Sequence, residues 1–204
     1  MFFSIVSFSV IIIAIGGLIS ALQVANYPIG STIKHWWQEA VEAWSAAPKN
    51  GWLSKKTIRN LSYFLGLDLV VVLALTGLIQ PWLFNQNMSG FLLILHMTAA
   101  PFFAISLALV ALYWSYAQRY SGEKNRLIMK IKLCFWSVLF LGVLVILSSA
   151  LSMFPVAGSS AQQVLISLHK YGALLLVVII LMHIYYLTLL KIKPAKKAKS
   201  KSIK

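Results

Sequence analysis

LISLHKYGALLLVVIILMHIYY, the run from Leu165 to Tyr186, is apolar over a bilayer's width and carries two histidines, His169 and His183. The two are about 14 residues apart, or about four helical turns, so both imidazoles leave nearly the same face of one helix about 21 Å apart. One helix thus marks two depths of a membrane. Neutral imidazole is a common axial ligand of haem iron, and a histidine near each end of a spanning helix is one way to hold a metal centre by each membrane surface.

Similar runs recur along the chain. It has 204 residues, 60% of them hydrophobic and 11% charged, with a mean hydropathy of +0.82. Five stretches, at about 3–24, 61–84, 90–116, 133–154 and 164–189, approach the roughly 20 apolar residues that cross a bilayer as a helix, the form that satisfies its own backbone where water is absent. The sequence predicts an all-α integral membrane bundle of five transmembrane helices. Residues 1–26 form the N-terminal helix, 27–60 a linker with an interfacial helix, 61–190 a four-helix core and 191–204 a basic tail. The first run has no basic n-region and no good cleavage site after Gln23, so it reads as a span and not a signal peptide.

The formal charge of +14 suggests nucleic acid until its distribution is considered. Lys34, Lys49, Lys55, Lys56 and Arg59 lie between spans one and two, Arg119, Lys124, Arg126, Lys130 and Lys132 between three and four, and the remaining lysines other than Lys170 follow span five. All three segments fall on one side of the membrane. The positive-inside rule then puts the N-terminus outside and the C-terminus in the cytoplasm. The tail from Lys191 to Lys204 has no folded basic reader and is expected to set topology or meet lipid headgroups. The single cysteine, Cys134, excludes an internal disulfide and a cysteine-bound iron–sulfur cluster within the chain.

Span one carries no ionisable group, and its Gly16-Gly17 pair suits helix packing. Ile33, Trp36, Trp37, Ala40, Val41 and Trp44 recur at helical spacing, predicting a short amphipathic helix on the cytoplasmic surface with His35, Gln38, Glu39 and Glu42 on its wet face. Asp68 is the intramembrane acid, about two turns below the cytoplasmic surface. Span four offers only serine hydroxyls, which can bond back to their own helix, and reads as a packing wall.

Spans three and five run in the same direction, so depth can be compared directly. His96 and His169 each lie about six residues into their runs, roughly 9 Å below the outer surface. This matched depth suits a haem b held between them. Ala99 and Ala100 beside His96, and Gly172 one turn below His169, would give a porphyrin room, Pro101 would kink span three around it, and Lys170 stands where it can pair with a propionate. The alternative is two hydrogen-bonded polar residues at helix contacts. His183 stays open between a second haem ligand, a proton or quinone residue and a structural one. Asp68 lies near its depth, so an Asp68/His183 pair able to exchange quinol protons is a further expectation.

Arg59-Asn60-Leu61-Ser62-Tyr63, then Thr76-Gly77, then His169 and His183 in an H-x13-H arrangement resemble the four-helix cytochrome b subunits of respiratory formate dehydrogenases and nickel–iron hydrogenases over about 55–190. The added N-terminal span is similar to the five-helix γ subunit of respiratory nitrate reductase. The resemblance implies electron transfer between a membrane quinone and a partner redox subunit through haem b, in a prokaryotic inner membrane. It assigns an outer haem to His96 and His169. An inner haem would take His183 and a histidine of the first core helix, where this chain has Ser62, leaving His35 as a replacement ligand and the count at one haem or two. The sequence holds no dinucleotide fingerprint, no haem-attachment motif and no nucleophile–base pair, so it reads as an electron-transfer subunit and not a stand-alone enzyme. The competing class is a non-redox structural subunit or a proton-coupled transporter component using Asp68 and His183.

Overall fold

The computed structural model describes residues 2–24, 34, 37–42, 44–45, 54–84, 86–122, 125–154 and 158–201, and side chains only as far as Leu190 in the last of these segments. Five long helices account for most of them: α1 (Phe2–Val24), α2 (Lys55–Phe84), α3 (Gly90–Trp114), α4 (Arg126–Met153) and α5 (Ser159–Lys201). Each is long and apolar enough to cross a membrane, and no strand occurs among the described residues. Of the expected interfacial helix, residues 37–42 and 44–45 are helical.

The helices outrun the apolar stretches that announced them. α2 begins at Lys55, α4 at Arg126, and α5 continues to Lys201. Apolar run length marks hydrocarbon, whereas lysine and arginine are good helix formers and extend a helix into the headgroup region. Capping sets the ends more locally. Asn125 accepts the amide of Leu127 through Oδ1 at 3.0 Å at the start of α4. The α2–α3 turn is tied by Gln80, whose Nε2 donates to Ser89 Oγ at 3.2 Å, and Gly90 takes the positive φ of +59° that the turn needs.

The surface is inverted relative to that of a water-soluble protein. Ile13, Phe91, Leu112 and Phe140 are each more than two-thirds exposed, while the completely buried side chains are the small hydroxyls Ser7, Ser106 and Ser148. Such a distribution suits a hydrocarbon solvent, in which small residues at helix contacts provide the packing.

α2 packs extensively on α3, and α4 on α5, forming two antiparallel hairpins; α3 against α4 and α2 against α5 touch far less. The half of the seam toward the Lys55 and Arg126 ends of α2 and α4, labelled inner after the expected orientation, is filled by Val70, Phe103, Leu107, Phe135, Leu139, Leu141, Leu176 and Ile180. Its outer half is open. α1 lies outside this core, with Trp82 Nε1 donating to Ser7 Oγ at 2.7 Å.

Candidate functional site

His96 comes from α3 and His169 from α5, on opposite sides of the open half of the seam. Their ring centroids are 6.3 Å apart and their planes nearly perpendicular, at 80°. Counting residues from the helix starts would place His169 deeper, because α5 begins at Ser159 and α3 at Gly90. The extra N-terminal turn of α5 makes up the difference, and the rings meet.

Each imidazole is held by its Nδ1. His169 Nδ1 lies 3.1 Å from the carbonyl oxygen of Val145 on α4. A carbonyl only accepts, so His169 carries its proton on Nδ1 and presents a lone pair at Nε2. His96 Nδ1 is 2.9 Å from Thr76 Oγ1 on α2, whose hydroxyl donates to the Val72 carbonyl at 2.7 Å. When Thr76 gives its one proton to that carbonyl or to the Leu73 carbonyl 3.2 Å away, it accepts from His96 Nδ1, and the neutral imidazole keeps its lone pair at Nε2. This is the tautomer a metal-bound histidine uses, fixed by the outer partner that such ligands ordinarily have.

Two cavities flank the pair, of about 220 Å³ and 360 Å³, and both are lined by His96, His169, Ala74, Ala173 and Ser149. The first adds Gly77, Asn87 and Lys170 toward the outer ends of the helices; the second adds Ala100, Pro101, Ala104 and Ala150 toward the middle. Small side chains next to the imidazoles, Ala74, Ala173 and Ser149, are common to both, amid larger apolar ones such as Leu73 and Val177. Both are mostly apolar and both touch the two imidazoles, and the first has the Lys170 cation in its lining.

These residues fit a haem. Two imidazole nitrogens each about 2 Å from one metal ion, on rings whose nitrogens lie about 1 Å from their centres, put the ring centres about 6 Å apart. Among the described residues no group of three or more His, Cys, Asp or Glu side chains gathers to hold a bare ion. Iron in a macrocycle takes four nitrogens from the ring and needs only one or two axial ligands from the protein, a number that the two imidazoles can supply.

Several expected residues take other roles. Gly172 does not line either cavity: a Cβ there would meet Val145 Cγ2 at 3.1 Å and Leu144 Cδ2 at 3.3 Å, so its missing side chain lets α5 approach α4. Clearance beside the imidazoles comes instead from Gly77, where a Cβ would sit 3.4 Å from His96 Cε1, and from Ala74 and Ala173. Lys170 does reach the outer cavity, its Nζ 6.0 Å from the centre of the Phe3 ring, which lines the same space. α1 thus helps to close the site. α3 continues helical through Pro101, which lines the inner cavity. α4 is also more than a wall, since it supplies the Val145 carbonyl and Ser149.

His183 is buried, 8% exposed, in the tightly packed inner half. The cavity it lines is about 60 Å³, room for about two waters and far below a macrocycle. Tyr63 lines it too, and both Tyr63 Oη and His183 Nδ1 are buried without a hydrogen-bond partner. Ser62, where the resemblance would have expected an inner ligand, is engaged with backbone: its Oγ donates to the Arg59 carbonyl, and its own carbonyl accepts from Ser106 Oγ at 2.8 Å. The expected Asp68/His183 pair does not form. Asp68 is exposed on the outer face of α2 and lines no cavity with His183. Its neighbour Leu67 lines the His183 cavity, but the Asp68 side chain leaves α2 in a different direction. His35, the other candidate partner of His183, lies outside the described residues.

Comparison with family models, curated proteins and solved structures finds no match to this chain.

Proposed function

We propose that this chain is a membrane cytochrome b subunit that binds a single haem between His96 and His169. In this reading it passes electrons between a membrane quinone and a partner redox subunit. The observation that carries the proposal is the facing pair itself: two imidazoles from different hairpins, 6.3 Å between centroids, each with Nδ1 engaged and Nε2 free. A bound haem supplies one-electron chemistry, its iron alternating between ferric and ferrous states.

The protein's own residues do the remaining work. Val145 and Thr76 orient the ligands and raise their basicity. Ala74, Ala100, Ala104 and Ala173 keep the seam apolar and open, and Lys170 offers a positive charge to an anionic edge. The quinone, the partner subunit and the prokaryotic inner membrane rest on the family resemblance. The outside-N, inside-C orientation rests on the placement of the basic segments.

Purified protein should give the sharp reduced-minus-oxidised bands of a low-spin haem b. Its ferric form should give the strongly anisotropic low-spin resonance of imidazole planes near perpendicular, following from the 80° between the rings. A preparation retaining cofactors but without a haem spectrum would exclude this function and favour a structural or transport role.

A further inference from the structure

Between residues 61 and 80 of α2 only three positions are exposed: Asp68, Val71 and Leu75. Their spacing of three and four residues makes one stripe. It lies on the side of α2 opposite Ser62, Gly66 and Thr76, which meet Ser106 and His96 of α3. α1 reaches this side only at its outer end, through Ser7 and Phe8 on Trp82, and then follows α5, where Val10, Ala14 and Gly17 share a groove with Val178 and Tyr185. No described residue of another element is placed against the inner half of the stripe, where Asp68 is exposed.

Depth makes this exposure informative. Asp68 lies about nine residues from Arg59 and about fourteen from Trp82, or about 13 Å and 21 Å along the axis, between two residues that bracket a hydrocarbon layer of about 30 Å. A carboxylate at that level facing lipid is costly, and intramembrane acids nearly always face protein or water. Among the described residues the chain offers neither.

We propose that the Asp68–Val71–Leu75 stripe is the docking face for a transmembrane helix of a different chain, one carrying a lysine, arginine or histidine at the depth of Asp68. Charge complementarity selects that partner. A second copy related by a two-fold axis through this face would set Asp68 against Asp68, and the chain's own intramembrane histidines all point into the bundle. Val71 and Leu75, each 56% exposed, supply the apolar surface beside the ion pair. The partner helix would lie against the hairpin that carries Thr76 and His96, but the inference does not depend on haem being present.

The test places a photo-activated crosslinking residue at Val71 of the full chain, in membranes of the source cell, and maps the adduct by mass spectrometry. The expected adduct joins Val71 to a spanning helix of another protein with a basic residue within one turn. Its yield should fall at least tenfold in Asp68→Leu, survive in Asp68→Glu, and return when Asp68→Lys is combined with an acidic replacement of that basic residue. Adducts to lipid alone, to a second copy, or to a helix without such a residue would overturn the proposal, as would a yield unchanged by Asp68→Leu. Purified alone, Asp68→Leu should melt no lower than wild type. A lower melting temperature would reveal an intrachain role and also overturn it.

Discussion

Thr76 and Val145 matter to the site as much as the histidines they hold, because each determines which imidazole nitrogen is free. Thr76→Val removes the acceptor for His96 Nδ1 while keeping shape, and should weaken haem retention by about 10- to 100-fold, measured as transfer to an acceptor apoprotein. No equivalent substitution exists for the Val145 carbonyl, which belongs to backbone. The His96/His169 pair was legible in the sequence because residue counting along parallel helices gives depth. Direction is not given by counting. Counting sets His183 and Asp68 near one depth, yet one is buried among Phe135, Leu139 and Ile180 and the other faces outward. Gly172 shows the same limit: its lack of a side chain was visible, but whether the space would serve a cofactor or a neighbouring helix depended on what α4 placed opposite. In the sequence Thr76-Gly77 stands only as part of a resemblance, and its task of holding His96 and giving it clearance depends on the fold.

Helix contacts divide into close ones made by glycine and serine and loose ones left for the site. Gly142 permits the closest of the former, since a Cβ there would lie 2.6 Å from Leu107 Cδ2 on α3. Gly142→Val should force α3 and α4 apart at their shared contact and cost about 1–3 kcal/mol, read as a lower melting temperature in detergent. The five spans were legible because hydrocarbon demands unbroken apolar runs. Their ends were not, since charged helix formers carry α2, α4 and α5 beyond the apolar boundary. The role of α4 is not legible in its sequence because its contribution is a main-chain oxygen, on which side-chain chemistry is silent.

At the scale of the molecule, two tight hairpins meet along a seam that is packed in its inner half and open in its outer half, and the histidine pair spans the open part. The architecture explains why one haem is expected: the inner half holds His183 but only about 60 Å³ of space. Orientation is tested separately. A cysteine at Asn87 should react with an impermeant reagent from outside intact cells, and one at Tyr120 only after the membrane is opened; the reverse pattern would invert the topology. The central claim is most directly tested by pyridine-haemochrome stoichiometry on purified wild type and on His96→Leu, His169→Leu and His183→Leu. The account predicts one haem per chain in wild type and in His183→Leu, with loss in the other two. Haem absent from wild type, two haems per chain, or full retention in His96→Leu and His169→Leu would contradict it.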